Sequence, residues 1–136
     1  MAYFLAKSEP NVYSISDLER DGQTVWDGVK NNAALLAIRA MRPGDIALIY
    51  HSGGESSIVG TAEIVSEPRP DPNVEKSWVV DLRYRGRVVP SVSLRQVKES
   101  GLFNDFALVR QSRLSTMPVP QSFIDWLRSE HGAQIP

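Results

Sequence analysis

The stretch DIALIYHSGGESSIVGTAEIVSE, residues 45–67, contains two runs rich in Ile, Val and Ala, separated by a segment that holds Gly53 and Gly54. Runs of this composition predict strands, and a short glycine-containing connection between them predicts an antiparallel pair. SWVVDLRYRGRVVP, residues 77–90, repeats this design with Gly86 at the expected turn. The protein is therefore expected to contain a small, mostly antiparallel sheet.

Two helices are predicted in the first third of the chain. In SISDLER, residues 14–20, Ser14 stands three residues before Asp17, which is the spacing of a capping box, and Gly22 follows as a helix end. Apolar residues recur at helical spacing in AALLAIRAM, residues 33–41. Both segments are expected to pack one face on the sheet.

The later part of the chain alternates short elements. Amphipathic helices are predicted in residues 91–100 and 120–132, and a strand followed by an extended segment in residues 106–119. The proline-rich EPRPDPN, residues 67–73, is predicted to be an ordered loop or linker, since it cannot form a central strand. We expect residues 1–136 to form one α+β domain: a small sheet or closed β-barrel flanked by short helices.

Composition excludes several classes of protein. The chain has 136 residues, 42% of them hydrophobic and 23% charged, with no cysteine and two histidines. Disulfides and thiol chemistry are thereby excluded, and neither a metal site nor a cofactor is expected. No apolar run is long enough for a membrane span and no secretory leader is visible, so a cytoplasmic location is the expectation. No apolar stripe stands out as a dimer seam, so a monomer is expected.

Charge is unevenly distributed along the chain. The net charge is −1, which argues against bulk electrostatic binding of nucleic acid, but residues 81–136 hold eight basic and five acidic side chains. These basic residues could form a local basic face or simply the solvated outer face of strands. The candidates for such a face are Arg83, Arg85, Arg87, Arg95, Lys98, Arg110 and Arg113.

Recognised catalytic motifs are missing. Neither Ser8 nor Ser52 has the glycine-flanked frame of a nucleophile elbow, and the glycines at 53 and 54 lack the lysine of a phosphate-binding loop. No pair of carboxylates has a spacing that forces two acids together. An enzyme acting on a nucleotide or modified base, with His51 or a carboxylate as general acid–base, is retained as an alternative.

VWDGVKNN, residues 25–32, has the composition of a pocket for a planar heterocycle. Trp26 offers a stacking face and is followed by Asp27 and Gly28, and the glycine allows close backbone approach. Asn31, just before a helix, carries both a donor and an acceptor. Pockets for a single base combine such features. The alternative is that Trp26 belongs to the core and Asn31 is a helix N-cap.

Several segments, in order along nearly the whole chain, resemble the EVE domain family. The specific ones are FLAKSEP, VWDGVKN and LVRQSRLS, supported by RPGDIALIYHS, IVGTAEIV, PDP and WVVDLRY. The resemblance implies a PUA-like fold, a small β-barrel with flanking helices that is related to the YTH domains, which read methylated RNA. It also implies that the protein is a binding module, without catalytic activity, that recognises a modified base. The ligand implied first is a modified cytosine in DNA, and RNA ligands are the second possibility.

The resemblance also implies a set of site residues. The first strand would end at the mouth of the pocket, with Trp26 as its stacking wall. The base-binding candidates are Lys7, Ser8, Trp26, Asn31, Tyr50, His51 and Gln111. The candidates for phosphate contact or bracing are Arg110, Arg113 and Lys30.

One position departs from the family pattern. Many relatives have a tyrosine immediately after the asparagine, whereas this chain has Asn32. If that tyrosine belongs to the cage, its loss leaves a roomier or more polar pocket. Besides the reader and the enzyme, a sensor of a free nucleoside or other small heterocycle is therefore a third candidate function.

Overall fold

The computed structural model describes residues 1–136, which form seven strands and five helices. The strands are β1 (Tyr3–Ser8), β2 (Gln23–Trp26), β3 (Ile46–His51), β4 (Ser57–Ile64), β5 (Arg69–Pro70), β6 (Trp78–Ser93) and β7 (Thr116–Val119). The helices are α1 (Ile15–Asp21), α2 (Asn32–Ala40), α3 (Leu94–Ser100), α4 (Ala107–Arg110) and α5 (Gln121–His131). None of these helices has the length and apolar content needed to cross a membrane.

All strands belong to one mixed sheet. Its order is β2-β6-β4-β3-β1-β7, and the two-residue β5 pairs with the start of β6. β1 and β3 are parallel, and every other pair is antiparallel. This confirms an α+β fold on a mostly antiparallel sheet. No ladder joins β2 to β7, so the sheet is not closed and the predicted barrel is not confirmed.

The predicted turn at Gly86 is wrong. β6 runs without interruption for 16 residues, and Gly86 pairs with Thr61 inside the ladder to β4. The next pair is Ala62 with Tyr84, so the register shifts by one residue beside the glycine. An extra residue in one strand is a β-bulge, where glycine is common for the same backbone freedom that favours it in turns.

The prediction for residues 106–119 is also wrong in its first half. Residues 107–110 form the single helical turn α4, and only residues 116–119 form a strand. The carbonyl of Phe106 accepts hydrogen bonds from the amides of Val109 and Arg110, at 2.9 and 3.0 Å, while the Phe106 ring packs on Phe123. A short apolar run fits either a helix or a strand, and here local hydrogen bonding and aromatic packing favour the helix.

The predicted helices α1, α2, α3 and α5 are confirmed. Ser14 and Asp17 form a reciprocal capping box at α1, and Ser93 and Gln96 form a second one at α3. These contacts satisfy amide groups that a helix leaves free at its first turn. Apolar faces of the helices and the inner face of the sheet contribute to a connected core of 38 buried residues.

Gly60 is a point of very close packing between α1 and the sheet. A Cβ atom at this position would collide with the Ile15 side chain and would stand 2.9 Å from the Gly86 carbonyl oxygen. Ile15 is the first residue of α1 and is buried. The absence of a side chain at Gly60 therefore allows α1 to rest directly on β4 and β6.

We predict that Gly60→Ala lowers the free energy of unfolding by about 1–3 kcal/mol, because overpacking forces Ile15 or the backbone to move. Gly54→Ala is the matched control, since a Cβ there meets no atom within 4 Å and its φ is not in the left-handed region. Urea denaturation of both variants measures the difference. Equal stability of the two variants would contradict the close approach.

Candidate functional site

A cleft of about 400 Å³ lies where the two ends of the open sheet face each other. One wall comes from the end of β1 and the residue before β7, and the other from β2 and the turn that follows it. The lining residues are Lys7, Ser8 and Ser115, then Thr24, Val25, Trp26, Asp27, Gly28 and Val29, with Val12 and Tyr13 from the β1–α1 loop. Since β2 and β7 are the ends of the strand order, the sheet curves and the cleft occupies its unpaired seam.

Two aromatic rings shape the cleft. Trp26 is 8% exposed, and the Tyr13 ring meets it edge-on with a centroid separation of 6.4 Å and an interplanar angle of 78°. The Tyr13 hydroxyl donates to Asp21 Oδ2 at 2.9 Å, which fixes the ring. Trp26 thus belongs both to the core and to the wall of the cleft. The core position and the place in a pocket wall, which the sequence offered as alternatives, are therefore compatible.

The KSEP segment ends β1 at the cleft. The Glu9 carbonyl accepts from the amides of Val12 and Tyr13, each at 2.9 Å, and closes a tight turn that contains Pro10. Ser8 Oγ donates to the Tyr13 carbonyl at 2.7 Å. These bonds fold the loop back over the strand end and place Val12 and Tyr13 in the lining.

Lys7 is a cation without an acidic partner. Its Nζ donates to the Ser112 carbonyl at 3.1 Å and lies 5.4 Å from the centre of the Tyr50 ring. Burial lowers the pKa of Lys7 from its ordinary value, and no carboxylate offsets that effect. An ammonium in this setting can donate to an electronegative atom of a ligand.

Tyr50 and His51 do not line the cleft. His51 Nε2 accepts from the Ile15 amide at 3.0 Å, so the ring proton lies on Nδ1, which faces Glu55 Oε2 at 3.4 Å. Both ring nitrogens of His51 therefore have partners within the protein. Tyr50 is buried beneath Lys7, and burial raises the pKa of its hydroxyl.

Asn31 also lies outside the lining residues. Its Oδ1 accepts from the amides of Ala33 and Ala34, at 2.8 and 3.2 Å, so it is the N-cap of α2. Asn32, the position at which the family resemblance implies tyrosine, is the exposed first residue of that helix and does not line the cleft. Lys30 is exposed in the turn that follows the β2 wall.

The segment containing Arg110, Gln111 and Arg113 runs beside the cleft without lining it. Arg110 Nη1 pairs with Asp105 Oδ1 at 3.2 Å, and the Gln111 amide ends α4 by donating to Ala107. Arg113 is exposed and has no acidic partner. The segment reaches the cleft through Ser112, which accepts from Lys7, and through the lining residue Ser115.

Most of the predicted basic face is neutralised within the fold. Arg83 and Arg85 both pair with Glu63, at 3.0 and 2.6 Å, and Arg87 pairs with Glu19 at 2.9 Å. Arg85 and then Arg83 lower the pKa of Glu63. Arg95 pairs with Glu99, so among the residues proposed for that face only Lys98 and Arg113 lack acidic partners.

Six lining residues were not identified as site residues from the sequence: Val12, Tyr13, Thr24, Val25, Val29 and Ser115. Tyr13 carried a usable signal, since an aromatic residue directly before a capping box lies at a fixed point on the helix entry. Val25 and Val29 lie in the VWDGVKNN segment but have no signal of their own, and Val12, Thr24 and Ser115 belong to no motif. They are brought together by the curvature of the sheet, which local sequence patterns do not encode.

Residues 2–130 match the EVE domain family, and the chain belongs to that family. Thymocyte nuclear protein 1 of Homo sapiens is 30% identical to it over 164 residues, which cover 94% of this chain and 73% of that protein. The family resemblance seen in the sequence is thereby confirmed.

Solved structures share the fold. Rpa0253 from Rhodopseudomonas palustris has a TM-score of 0.90 and 38% identity, covering 97% of this chain and 94% of that one. Human THYN1 in complex with DNA containing 5-methylcytosine has a TM-score of 0.86 and 26% identity, covering 99% and 100%. The YTH domain of Zygosaccharomyces rouxii MRB1 shares the fold with a TM-score of 0.61 and 18% identity. The match covers 99% of this chain and 88% of that one.

We predict that Asn31→Ala destabilises the protein by about 1 kcal/mol, because the cap of α2 is lost, whereas Asn31→Asp retains stability. Asp offers the same accepting oxygen and lacks only the side-chain amide donor. Thermal unfolding of both variants tests the capping role. If Asn31→Asp instead bound a ligand of the cleft more weakly at unchanged stability, the side-chain amide of Asn31 would be shown to contact that ligand.

Proposed function

We propose that this protein is a binding module that recognises a modified nucleobase in nucleic acid. The proposed ligand is a modified cytosine, with DNA preferred over RNA as the nucleic acid that carries it. The observation that carries the proposal is the cleft in the sheet seam, where the Trp26 ring and the unpaired ammonium of Lys7 line one concave space. The relative THYN1, similar over the whole chain, forms a complex with DNA that contains 5-methylcytosine.

The cleft has the properties that a base requires. Its volume of about 400 Å³ falls within the usual range for small-molecule sites, and one aromatic wall provides a surface for stacking. Val12 and Val25 are exposed by 73% and 47% and line the same space, which offers apolar contact to a methyl group. In this proposal the base leaves its stack and enters the cleft edge-first.

The candidate residues take different roles in this proposal. Trp26 stacks on the base, Lys7 donates to it, and Ser8 orders the loop that carries Tyr13. Gln111, Arg113 and Lys30 stand beside the cleft, where they can meet the sugar-phosphate backbone. Asn31, Tyr50, His51 and Arg110 act as supports, as their internal partners indicate.

The same proposal explains why the sheet is open. We infer a PUA-like barrel that is left unclosed between β2 and the β1–β7 edge, with the binding cleft as its seam. A catalytic role for His51 receives no support, because both ring nitrogens are occupied inside the protein. We therefore propose binding without turnover.

We predict that Trp26→Phe, which keeps an aromatic ring in the core, weakens binding of a fluorescently labelled oligonucleotide with one 5-methylcytosine by several-fold, and that Trp26→Ala, which also leaves a core cavity, weakens it by tenfold or more. Base–aromatic stacking contributes roughly 1–3 kcal/mol per base, which is the origin of these factors. Fluorescence anisotropy measures the affinities. Trp78→Phe is the matched control, since Trp78 lies outside the cleft against Arg39. Equal losses at both positions would contradict the proposal.

Salt dependence should be shallow, because few cations near the cleft are free to bind phosphate. We predict that Arg113→Ala reduces the slope of log affinity against log salt by about one, whereas Arg95→Ala, which removes an arginine paired with Glu99, leaves it unchanged. Titrations at several salt concentrations measure the slope. Salt-independent binding, matched by the free nucleoside, would instead indicate a small-molecule sensor.

A further inference from the structure

Resting on the proposed function, we propose that Lys7 and Asp27 together select the base by its hydrogen-bonding edge. The pair accepts a base that presents an exocyclic amino group beside a ring acceptor, as cytosine and its 5-methyl derivative do. It rejects thymine, which has the same 5-methyl group but a carbonyl oxygen at position 4 in place of the amino group. Asp27 is thus assigned as a specificity-determining residue that the proposed stacking and phosphate contacts do not include.

Asp27 is unusual among the acidic side chains of this protein. Most of the others accept hydrogen bonds from arginines, backbone amides or hydroxyls, as Glu63, Asp45 and Asp21 do. Asp27 has no hydrogen-bond or ion-pair partner, and it is the one acidic side chain that lines the cleft. It directly follows Trp26, and Gly28 after it has a φ of 75°, which turns the chain at the cleft wall.

Lys7 is its counterpart on the opposite wall. It is the one basic side chain that lines the cleft, and the carbonyl of Ser112 uses one of its three donors. Although the two groups face one space, no ion pair joins them. An opposite charge at contact distance would be expected to raise the pKa of Lys7, whereas burial alone lowers it. The unpaired ammonium and carboxylate are therefore free to contact a ligand placed between the walls.

The edge of cytosine complements these two groups. Its 4-amino group donates, and carboxylates are established partners for that group, while its ring N3 and O2 accept. An ammonium can only donate and a carboxylate can only accept. Thymine also carries a donor beside an acceptor, its N3–H next to O2 and O4, so selection requires that the Trp26 wall hold the base in one position, with position 4 at Asp27 and N3 or O2 at Lys7. Thymine places a carbonyl oxygen where cytosine has the amino group. That oxygen would face the carboxylate of Asp27 without a hydrogen between them.

The test uses two single-stranded oligonucleotides that differ at one position, 5-methylcytosine or thymine, so that size and methyl group are equal. We expect the wild-type protein to bind the first roughly tenfold more tightly, since a well-placed base contact discriminates by about that factor or more. Asp27→Asn should reduce this ratio to within about twofold, because the amide can donate to the thymine oxygen. Lys7→Met should weaken binding of both oligonucleotides.

Glu9→Gln is the matched control, since Glu9 is an exposed acid near the cleft that does not line it. It makes the same charge change and should keep the full ratio. Because the Asp27 side chain has no partner, Asp27→Asn should melt at the wild-type temperature. Equal wild-type affinities, or a ratio retained in Asp27→Asn, overturn the inference while Trp26→Phe still reports on the cleft. Failure to bind either oligonucleotide overturns both proposals.

Discussion

The long strand β6 is the constraint on which the site depends. Its residues from Val80 to Arg83 pair with β2, and those from Leu82 to Ser93 pair with β4, so one continuous strand joins the β2 wall of the cleft to the centre of the sheet. A bulge lies beside Gly86 in this strand, and a β-bulge bends a strand and increases its twist. The close approach at Gly60 lets α1 pack on the same region. The curvature that results brings β2 opposite the end of β1. A straight sheet with the same pairing would hold Trp26 and Lys7 at its opposite edges.

Charge is used in two different ways in this fold. On the outer face, arginines of β6 are matched to carboxylates of β4 and α1, and these exposed pairs add little free energy while they remove most of the basic surface. In the cleft, Lys7 and Asp27 have no ion-pair partner: Lys7 Nζ donates to the Ser112 carbonyl, and the Asp27 side chain makes no hydrogen bond within the protein. The chain is therefore nearly neutral overall but has unsatisfied hydrogen-bonding capacity at one place. Such an arrangement favours selectivity at a single base over general attraction to nucleic acid.

Local patterns predicted most of the elements, and the failures share a physical cause. The capping box at Ser14, the periodicity of α2 and the β3–β4 pair depend on neighbours in sequence, and all were predicted correctly. The turn predicted at Gly86 is wrong because glycine is common both in turns and in β-bulges. Which of the two forms depends on whether the neighbouring strand β4 continues to pair beside the glycine, as it does here. The cleft was predicted in part: Lys7, Ser8 and Trp26 lie in segments with a recognisable composition. Val12, Thr24 and Ser115 join them only through the curvature of the sheet.

The double role of Trp26 limits how the cleft can vary. Because most of its surface is packed in the core, the ring is held at one angle, and the Tyr13 ring against its edge restricts it further. A ligand therefore meets a wall that is ordered before binding, which lowers the conformational cost of recognition. The exposed residues around it, Val12, Val25 and Asp27, have no such packing duty. Ligand preference can therefore change through these three positions while the framework that supports the stacking surface is retained. The absence of tyrosine at Asn32 is compatible with this division, since that position lies on the exposed start of α2.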